Sequence, residues 1–362
     1  MFLIRQAGPR DFPGVFRLAK ILDSYNLPSD RTYVRALLAV SQASFSGKLP
    51  KEKAKYLFVL EQMPSRRIVG CSLIIAKHGT PGKPHLWFSR DTVTFRSRTL
   101  KKSRRHEVLR LGFTEDGPTE VGGLVVLPGC RGRASRCGLQ LSFVRFLYMA
   151  MHPGRFEPEV LAEYRGRMGQ GNDSPFWRRV GHQFTGLSYK KADRLSVANK
   201  EFILSLMPKE PIYCALLPSS VQKAMGALHP EAVRAAGLLE RIGFRPMNQI
   251  EPFDGGPYYA ANRREISLIR RTRRAKIFPS PYPLPQGERV FLDGSLSKFP
   301  SLDGRGQGRV KEALFLVGTE TGVGLRAVLA RGRLVHGRLG ISKDQMRLLS
   351  VRSGEAAYVC PL

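Results

Sequence analysis

Hydrophobic and polar positions in the amino-terminal part of the chain follow first a strand pattern and then a helical one. Residues 2–4 form a short apolar run, and residues 15–22 place apolar side chains at the spacing of one helix face. Two further apolar runs, residues 56–61 and 68–76, are separated by a turn-like Met-Pro-Ser-Arg break, which is typical of a hairpin. This order predicts β-α-β-β at the start of the fold.

A buried strand followed at once by a helix is predicted in the middle of the chain. Residues 121–127 are almost entirely apolar and short enough for a central strand, and residues 139–149 form a mostly apolar helix. A loop rich in glycine and arginine lies between them. Backbone N–H groups at the start of such a helix bind phosphate anions, so this junction is the first candidate for chemistry.

The second half of the chain predicts one more strand and several helices. Residues 160–163 form the strand, Ser174 starts a helix, and another helix ends at Leu206. Residues 220–227 and 230–242 form two further helices, the second of which is followed by a glycine stop signal. Strands and helices in this order indicate an α+β fold.

The carboxyl-terminal part divides into a segment of unusual composition and a small β region. Residues 278–311 are rich in proline, glycine and arginine, which indicates a linker or a disordered insertion. Residues 312–362 contain strand-like runs between glycine-rich turns, and we expect a small β-barrel-like domain or sandwich there. The predicted domains are therefore 1–277, 278–311 and 312–362. The strand-like runs are residues 313–317, 325–329, 334–339 and 356–361.

Composition places the chain among globular proteins and predicts no membrane span. Of the 362 residues, 42% are hydrophobic and 24% are charged, which suffices to build a core. The longest apolar runs fall far short of the roughly 20 residues of a transmembrane helix, and the amino terminus lacks a signal-peptide pattern. Five scattered cysteines without C-x-x-C pairs or histidine partners predict no metal site. We expect a reduced, cytoplasmic protein.

The charge of the chain introduces a second class of function. There are 59 basic and 29 acidic residues, a formal net charge of +30, and such a field attracts any polyanion. One interpretation is a nucleic-acid-binding protein with residues 263–276 as a basic arm. A second is a cleft that binds a phosphate-rich co-substrate. The third is that the arginine-rich faces are simply exposed to solvent. Zinc-finger spacing, RNA-binding aromatic strings and basic heptads are missing from the sequence, so nucleic acid is not favoured.

The loop after the buried strand is the candidate phosphate site. Residues 133–138, Arg-Ala-Ser-Arg-Cys-Gly, resemble the acyl-CoA pyrophosphate loop of the GNAT superfamily, whose pattern is Arg or Gln, two residues, Gly, one residue, Gly or Ala. Arg133 and Gly138 fit this pattern, whereas Arg136 replaces its first glycine. A plain basic turn is the alternative for so short a string, and the order of strand, loop and helix favours the phosphate site.

His229 is the candidate for proton transfer. It precedes Pro230 at the predicted start of the helix over residues 230–242, and proline suits a first helical turn. The positive end of the helix dipole favours a neutral imidazole there, which can exchange a proton. A capping or packing histidine is the alternative.

Short strings along the chain resemble the arginine N-succinyltransferase family in their order and approximate spacing. The resemblance covers roughly residues 1–277, starting with the Gly-Lys-Leu-Pro string at 47–50, resumes weakly near the carboxyl terminus, and omits the insertion. The other strings are Glu163-Tyr164-Arg165-Gly166, Ser174-Pro175-Phe176-Trp177, Lys191-Ala192-Asp193, Met207-Pro208-Lys209-Glu210-Pro211-Ile212-Tyr213, His229-Pro230 and Phe253-Asp254-Gly255-Gly256-Pro257.

This resemblance implies a GNAT-like fold, with a mixed and mostly antiparallel sheet flanked by helices. It implies succinyl-CoA as donor co-substrate, L-arginine as acceptor, no permanently bound cofactor, and a place in arginine catabolism through N2-succinylarginine. The family's proton donor is a histidine in the His-Pro element, which corresponds to His229, and its acyl-CoA contact falls at Leu124, Val125 and Val126. The departure at the loop glycine leaves other acyl chains, and ornithine or another amine as acceptor, open; an oligomer is open too.

Residue types in the family strings suggest how the substrates are held. A guanidinium acceptor calls for carboxylates, for which Glu163 and Asp254 are candidates, and the succinyl carboxylate calls for a cation, for which Arg165 is the candidate. A salt bridge between Glu163 and Arg165 and a turn at Asp254 are the structural alternatives. Cys137 and Cys214 have no base nearby in the sequence and are predicted to be buried small residues. The hypothesis requires His229 and the strand over 121–127 to face one cleft.

Overall fold

One open β-sheet runs through the fold. The structure is a computed structural model, and it describes residues 1–24, 26–132, 134–169, 171, 173–280 and 312–362. Across these residues the sheet has 16 strands. The strands are β1 (Phe2–Gln6), β2 (Lys55–Gln62), β3 (Arg67–Ile75), β4 (His85–Ser97), β5 (Lys102–Thr114), β6 (Thr119–Val126), β7 (Glu159–Glu163), β8 (Ile212–Tyr213), β9 (Arg245–Ile250), β10 (Pro257–Asn262), β11 (Arg273–Pro279), β12 (Ala313–Thr321), β13 (Gly324–Gly332), β14 (Leu334–Val335), β15 (Arg338–Ile341) and β16 (Ala356–Pro361). Their order across the sheet is β14-β15-β11-β16-β12-β13-β1-β2-β3-β6-β7-β10-β9-β4-β5-β8.

Helices pack on this sheet in three groups. The helices are α1 (Phe12–Leu22), α2 (Arg31–Phe45), α3 (Cys137–Met151), α4 (Pro175–Arg179), α5 (Gly181–Thr185), α6 (Tyr189–Ala198), α7 (Glu201–Leu206), α8 (Ser219–Ala224), α9 (Val233–Glu240), α10 (Ser267–Arg271) and α11 (Lys343–Leu349). Helices α1, α2 and α3 pack on the central strands, whereas α4 to α8 form a second core with β4, β5 and β9. Helix α11 packs on β13 and covers a third core. None of the helices in the described ranges is long and apolar enough to span a membrane.

The predicted amino-terminal elements are present in the order that the hydrophobic pattern indicates. Strands β2 and β3 form the predicted antiparallel hairpin, and α1 buries Val15, Leu18 and Ala19 against the sheet. The predicted buried strand is β6, which lies between β3 and β7. The apolar helix that follows it is α3, and Leu141 of that helix accepts a hydrogen bond from Ser72 Oγ of β3 at 2.8 Å. The sheet of mixed but mostly antiparallel strands with helices packed on it confirms the predicted α+β class.

The helix predicted over residues 230–242 begins later than its sequence suggests. Helix α9 starts at Val233, with Ala232 as its N-cap, so His229 lies before the helix instead of at its first turn. The N–H of Ala232 donates to the carbonyl of His229 at 2.8 Å and closes a separate turn over residues 229–232. The prediction of a helix start at Pro230, with His229 at or just before the N-cap, is therefore wrong in its boundary, because the local turn satisfies a backbone group that a longer helix would have used.

The carboxyl-terminal strands extend the main sheet, and the predicted barrel does not form within the described ranges. Strand β13 pairs with β1, with Ala327 opposite Ile4, because the free edge of β1 offers unpaired backbone groups. Strand β11 reaches Pro279, so Phe278 and Pro279 of the predicted linker belong to a strand. Residues 281–311 of that linker lie outside the described residues. The division into domains at residue 277 stays a prediction.

Candidate active site

A cleft of 2740 Å³ opens beside the carboxyl end of β6. It brings together nearly all of the predicted site residues, which come from β6, the loop before α3, the end of β7 and two turns of the second half. The predicted residues on its wall are Leu124, Val125, Val126, Arg136, Gly138, Glu163, Arg165, His229 and Asp254. Arg133, which is predicted to belong to the same loop, lies outside the described residues. His229 and β6 therefore face a common cleft, as the chemistry requires.

Two parallel strands diverge at the floor of the cleft. Strands β6 and β7 pair where Thr119 is opposite Val160 and Glu120 is opposite Leu161. Beyond this point β6 continues to Val126, and its pairing within the described residues is with β3 alone. The edge of β6 that faces the cleft thus carries backbone groups available to a ligand.

A β-bulge changes the direction of β6 inside this fork. The register with β3 shifts between the Cys71 and Leu73 pairs, and Gly123 sits in the bulge with φ +56°. Glycine is required there, because a Cβ atom would lie 3.0 Å from the Cβ of Leu73 in a backbone conformation that side chains rarely adopt. Bulges re-aim the residues that follow them, and here the next residue is Leu124.

The loop between β6 and α3 is fixed by hydrogen bonds from its own side chains. Arg131 Nε donates to the carbonyl of Val126 at 2.9 Å, and Ser135 Oγ donates to the carbonyl of Cys130 at 2.8 Å. Arg136 is the N-cap of α3 and has φ +49°, a left-handed conformation that favours glycine. The chain therefore makes the turn with arginine at the position where the phosphate-loop pattern has a glycine.

Basic side chains gather at this end of the cleft. Arg131, Arg136 and Arg331 line it, and Arg331 comes from β13 in the carboxyl-terminal part of the chain. Burial, followed by the charge of Arg331, lowers the pKa of Arg136. Two neighbouring guanidinium groups repel each other, and a bound polyphosphate would relieve that repulsion.

Arg145 adds a buried cation to the same cleft. Only 2% of this side chain is exposed, and it lines the cleft from the middle of α3. Its Nε and Nη2 atoms donate to the carbonyl and the hydroxyl of Ser142, both at 3.0 Å. Burial lowers the pKa of Arg145 to about 10. Among the described residues no carboxylate lies within salt-bridge distance of it, so its charge is available to an anionic ligand.

Acidic side chains gather in another part of the cleft. Asp193, Glu251 and Asp254 line it together with Glu163. Burial, reinforced by the charge of Asp254, raises the pKa of Asp193 to about 6, and the same two causes raise the pKa of Glu251 well above its usual value. Burial also raises the pKa of Asp254. A group of crowded, partly desolvated carboxyls favours a cationic ligand.

Asp254 has a structural task in addition to its place on the wall. Its carboxylate accepts the N–H of Gly256 at 2.7 Å and the N–H of Gly166 at 3.0 Å. These bonds hold the turn after β9 against the chain that leaves β7. The turn-forming alternative for Asp254 is therefore present in the structure. Arg165 lies close enough to Asp254 and Asp193 for its charge to oppose the rise of both pKa values, which burial still dominates.

Two histidines that the sequence analysis did not select lie behind Glu163. His78 Nδ1 is 2.7 Å from Glu120 Oε2, and Glu163 Oε1 is 3.6 Å from His78 Nε2 and 3.7 Å from His85 Nδ1. Burial, followed by repulsion from Glu120, raises the pKa of Glu163 to about 7. Burial lowers the pKa of His85 well below its usual value. The sequence signal was a pair of histidines on the two sides of a turn with two glycines, His78 and His85.

His229 is held by its backbone and oriented by the turn that follows it. Its N–H donates to the carbonyl of Arg165 at 2.9 Å, and the N–H of Glu231 donates to its Nδ1 at 3.3 Å. Because Nδ1 accepts this bond, the geometry assigns the ring proton to Nε2. The half-buried side chain thus offers an N–H donor to the cleft.

The cysteines have the character that their sequence context predicts. All five are free thiols. Cys137 and Cys214 are buried, and burial raises the pKa of both, that of Cys214 to about 11. A thiol with a raised pKa is a poor nucleophile, so the chemistry falls to other groups.

Comparison with known proteins identifies the family. The profile described as "Arginine N-succinyltransferase beta subunit" matches residues 2–268. The chain belongs to the arginine N-succinyltransferase family. The resemblance of the short strings is thereby confirmed, and the matched region includes every residue on the cleft wall except those from the carboxyl-terminal strands and α11.

Relatives of the arginine N-succinyltransferase family align over most or all of the chain. The chain is 34% identical to "Arginine N-succinyltransferase subunit alpha" of Pseudomonas aeruginosa over 304 residues, 83% of this chain and 89% of the relative. It is 28% identical to an arginine N-succinyltransferase of Yersinia pestis over 365 aligned positions, 100% of this chain and 98% of the relative. A solved structure, subunit AI of an arginine/ornithine succinyltransferase from Pseudomonas aeruginosa, superposes with a TM-score of 0.79 and 28% identity, covering 100% of this chain and 98% of that one.

Proposed function

We propose that the cleft transfers the succinyl group of succinyl-CoA to the α-amine of L-arginine. The observation that carries this proposal is the separation of charge on one continuous wall. Three arginines gather where β6 leads into α3, and four carboxyls, those of Glu163, Asp193, Glu251 and Asp254, line another part of the cleft. A polyphosphate donor and a cationic acceptor need such a pair of opposite surroundings. A GNAT-like fold is part of the proposal, supported by the junction of strand, loop and helix.

The donor would lie along β6 and the loop before α3. Its pyrophosphate fits the basic group of Arg131, Arg136 and Arg331, together with the backbone around Gly138. The open edge of β6 at Leu124, Val125 and Val126 offers backbone donors for the thioester arm and for the oxygen that becomes negative during the reaction. Arg133 would extend the same loop, as its place in the sequence predicts.

Arg145 is a better candidate than Arg165 for binding the succinyl carboxylate. Arg165 interacts electrostatically with Asp254 and Asp193, which already balance its charge. Arg145 is buried, lines the cleft and has no carboxylate within salt-bridge distance in the described part of the chain. A planar guanidinium matches a carboxylate in a bidentate manner.

The acceptor would lie among the carboxyls with its guanidinium toward Asp193, Glu251 and Glu163. Asp254 shapes this part of the cleft through its bonds to two backbone N–H groups, and its remaining charge adds to the attraction. Because the solved relative from Pseudomonas aeruginosa is described as an arginine/ornithine succinyltransferase, ornithine is the second acceptor to test. Arginine and ornithine both carry a cationic side chain, so the cluster of carboxyls alone does not favour one acceptor over the other.

The reaction needs the amine, the thioester and one proton donor in a single site. The ammonium of the acceptor loses a proton, its lone pair attacks the thioester carbon, and the C–N bond forms as the C–S bond breaks. The imidazole of His229 takes up one of the protons of the amine as its Nε2–H proton moves to the leaving sulfur, so the ring stays neutral overall. The nitrogen releases two protons in all: one replaces the proton that His229 has given, and the other goes to solvent. A thioester is already activated, so proximity supplies much of the rate.

A thiol-release assay with a matrix of acyl-CoAs and amino acids tests the proposal. Succinyl-CoA with arginine is expected to release CoA faster than succinyl-CoA with ornithine, and faster than acetyl-CoA with either acceptor. His229→Gln is expected to lower kcat by roughly 100- to 10,000-fold, the usual contribution of a general acid, with CoA binding unchanged. His182→Gln is the matched control, since His182 is exposed and lies outside the cleft. Failure of succinyl-CoA and arginine to release CoA above background would contradict the assignment.

A cytoplasmic location and an oligomer stay predictions, and nucleic acid stays a disfavoured partner.

A further inference from the structure

The side chains behind Glu163 form a constellation that proton transfer does not require. His78 Nε2, His85 Nδ1 and a Glu163 carboxylate oxygen all lie within 4.8 Å of one another. Only 6% of His78 and 4% of His85 is exposed. Both ring nitrogens are buried and have no hydrogen-bond partner among the residues that the structure describes. Buried polar atoms normally have a partner, so these two nitrogens need an explanation.

The tautomer of His78 defines what faces Glu163. His78 Nδ1 lies 2.7 Å from Glu120 Oε2, and the Asn26 amide donates to the other oxygen of Glu120. A neutral His78 that carries its proton on Nδ1, the nitrogen beside Glu120, presents the lone pair of Nε2 to Glu163 Oε1, which is 3.6 Å away. A lone pair and a carboxylate oxygen repel each other unless a cation or a proton lies between them.

We propose that His78, His85 and Glu163 bind a divalent cation of the zinc class, with a fourth position open to the cleft. This inference goes beyond the proposed acyl transfer and does not depend on it. Two imidazole nitrogens and one carboxylate oxygen form a donor set that zinc accepts, whereas magnesium and calcium prefer oxygen ligands.

The spacing of the three atoms fits a zinc ion after a small contraction. Zinc bonds of about 2.0–2.1 Å place the ligand atoms of a tetrahedral site about 3.3 Å apart. The Glu163 oxygen is 3.6 Å and 3.7 Å from the two ring nitrogens, slightly wider than this value, and all three atoms lie within 4.8 Å of one another, so the two histidines would have to close on the ion. Glu120 behind His78 has the place of the carboxylate that orients metal-bound histidines in other proteins.

The surrounding residues hold the histidine loop in place and leave the proposed metal site accessible from the cleft. The N–H of His78 donates to the carbonyl of Pro118 at 2.7 Å, and a Cβ at Gly79 would meet His85 Cβ at 2.9 Å, so the histidine loop is held against its neighbours. Glu163 lines the cleft, which gives the open fourth position access to water or to the amine or carboxylate of a substrate.

Direct metal binding tests this inference without reference to activity. The full chain is stripped with a chelator and gel-filtered, zinc is returned in a competition titration against a chromophoric chelator, and bound metal is counted by mass spectrometry. One equivalent of zinc is expected. Cobalt in place of zinc is expected to give the intense visible absorption of a four-coordinate site, a reading that needs no variant.

Single substitutions measure how much each proposed ligand, and its outer partner, contributes to zinc affinity. Glu120→Gln is expected to weaken zinc binding roughly 10- to 100-fold, the usual effect of losing an outer partner. Glu163→Gln and His85→Gln are expected to weaken it more than Glu120→Gln does. His152→Gln is the matched control, because His152 also pairs with a carboxylate, Glu320, at 2.7 Å, away from the cleft. Circular dichroism checks that each variant is folded.

Two results would overturn the proposal: a folded wild-type chain that takes up no stoichiometric zinc, or zinc binding that Glu163→Gln and His85→Gln leave unchanged. The same stripped and reloaded samples are assayed for CoA release. CoA release by a protein that binds no zinc would contradict the zinc site and leave the proposed acyl transfer intact. Zinc binding by a protein that releases no CoA would contradict the proposed acyl transfer and leave the zinc site intact.

Discussion

Arg145 is a charged residue in the middle of an otherwise apolar helix. A guanidinium that is 98% removed from solvent is costly to bury, and the hydrogen bonds to Ser142 compensate for only part of that cost. Helix propensity offers no reason for such a residue, because leucine or methionine would serve α3 as well. The proposed function offers a reason, namely the carboxylate that distinguishes succinyl-CoA from a neutral acyl-CoA.

Arg145→Met is expected to reverse the donor preference. Loss of a bond between charged groups removes about 1.5–3 kcal/mol, so kcat/KM for succinyl-CoA is expected to fall roughly 10- to 150-fold. Butyryl-CoA has the same chain length without the carboxylate, and its kcat/KM is expected to stay level or rise. The comparison is made with both donors at one arginine concentration. Arg347→Met, an exposed arginine, is the control; an equal loss with both donors in Arg145→Met would contradict the role.

One buried carboxylate, that of Glu61, links the elements at the amino-terminal end of the chain. Glu61 of β2 has 1% of its side chain exposed and pairs with Arg5 of β1 at 2.6 Å and with Arg66 at 2.8 Å. Arg5 also reaches Asp11 at the turn before α1, so the group joins two strands and a helix start. Burial, the largest influence, raises the pKa of Glu61, but its bonds to Arg66 and Arg5 together outweigh it, and the net pKa is lowered.

Glu61→Gln is expected to destabilise the fold at neutral pH and to matter less in acid. A carboxyl with a lowered pKa in the folded state stabilises the protein above its unfolded pKa, about 4.3, and loses this contribution as pH falls through the folded value. The free energy of unfolding is expected to drop by about 1.5–3 kcal/mol at pH 7, and the difference from wild type is expected to shrink below about pH 4. Urea unfolding at several pH values measures it. A difference independent of pH would show that packing, not charge, is responsible.

At the scale of the whole molecule, residues far apart in sequence meet at one cleft. Strand β13 reaches the cleft because β1 pairs with it on one side and with β2 on the other. Arg331 of β13 thereby joins the basic group near Arg136. The carboxyl-terminal strands therefore complete the proposed donor site in addition to extending the sheet.

Arg331→Gln is expected to raise KM for succinyl-CoA with little change in kcat. The phosphates are remote from the reacting carbon, so the lost bond affects ground state and transition state alike, by about 1.5–3 kcal/mol or roughly 10- to 150-fold. The dependence of KM on salt is expected to become shallower, because one cation fewer attracts the phosphates. Arg352→Gln, an exposed arginine elsewhere in the same part of the chain, is the control. An unchanged KM in Arg331→Gln would exclude the residue from the donor site.

Local chemistry was enough to predict much of this protein. The periodicity of apolar residues determined the hairpin of β2 and β3, the strand β6 and the helix α3, because each buries a face that its own sequence defines. Family strings identified several residues of the cleft wall, including His229, Glu163 and Asp254. Even the alternative of a turn at Asp254 could be predicted from the two glycines that follow it.

Tertiary structure alone decided the features that depend on pairing between distant segments. The free edge of β1 recruits β13, so the expected barrel becomes part of one sheet and Arg331 reaches the cleft. His78, His85 and Glu163 converge although a loop, the strands β4 to β6 and helix α3 come between them in sequence. Periodicity reports which side of an element is buried but carries no information about its neighbour, and such convergence arises only when strands pair.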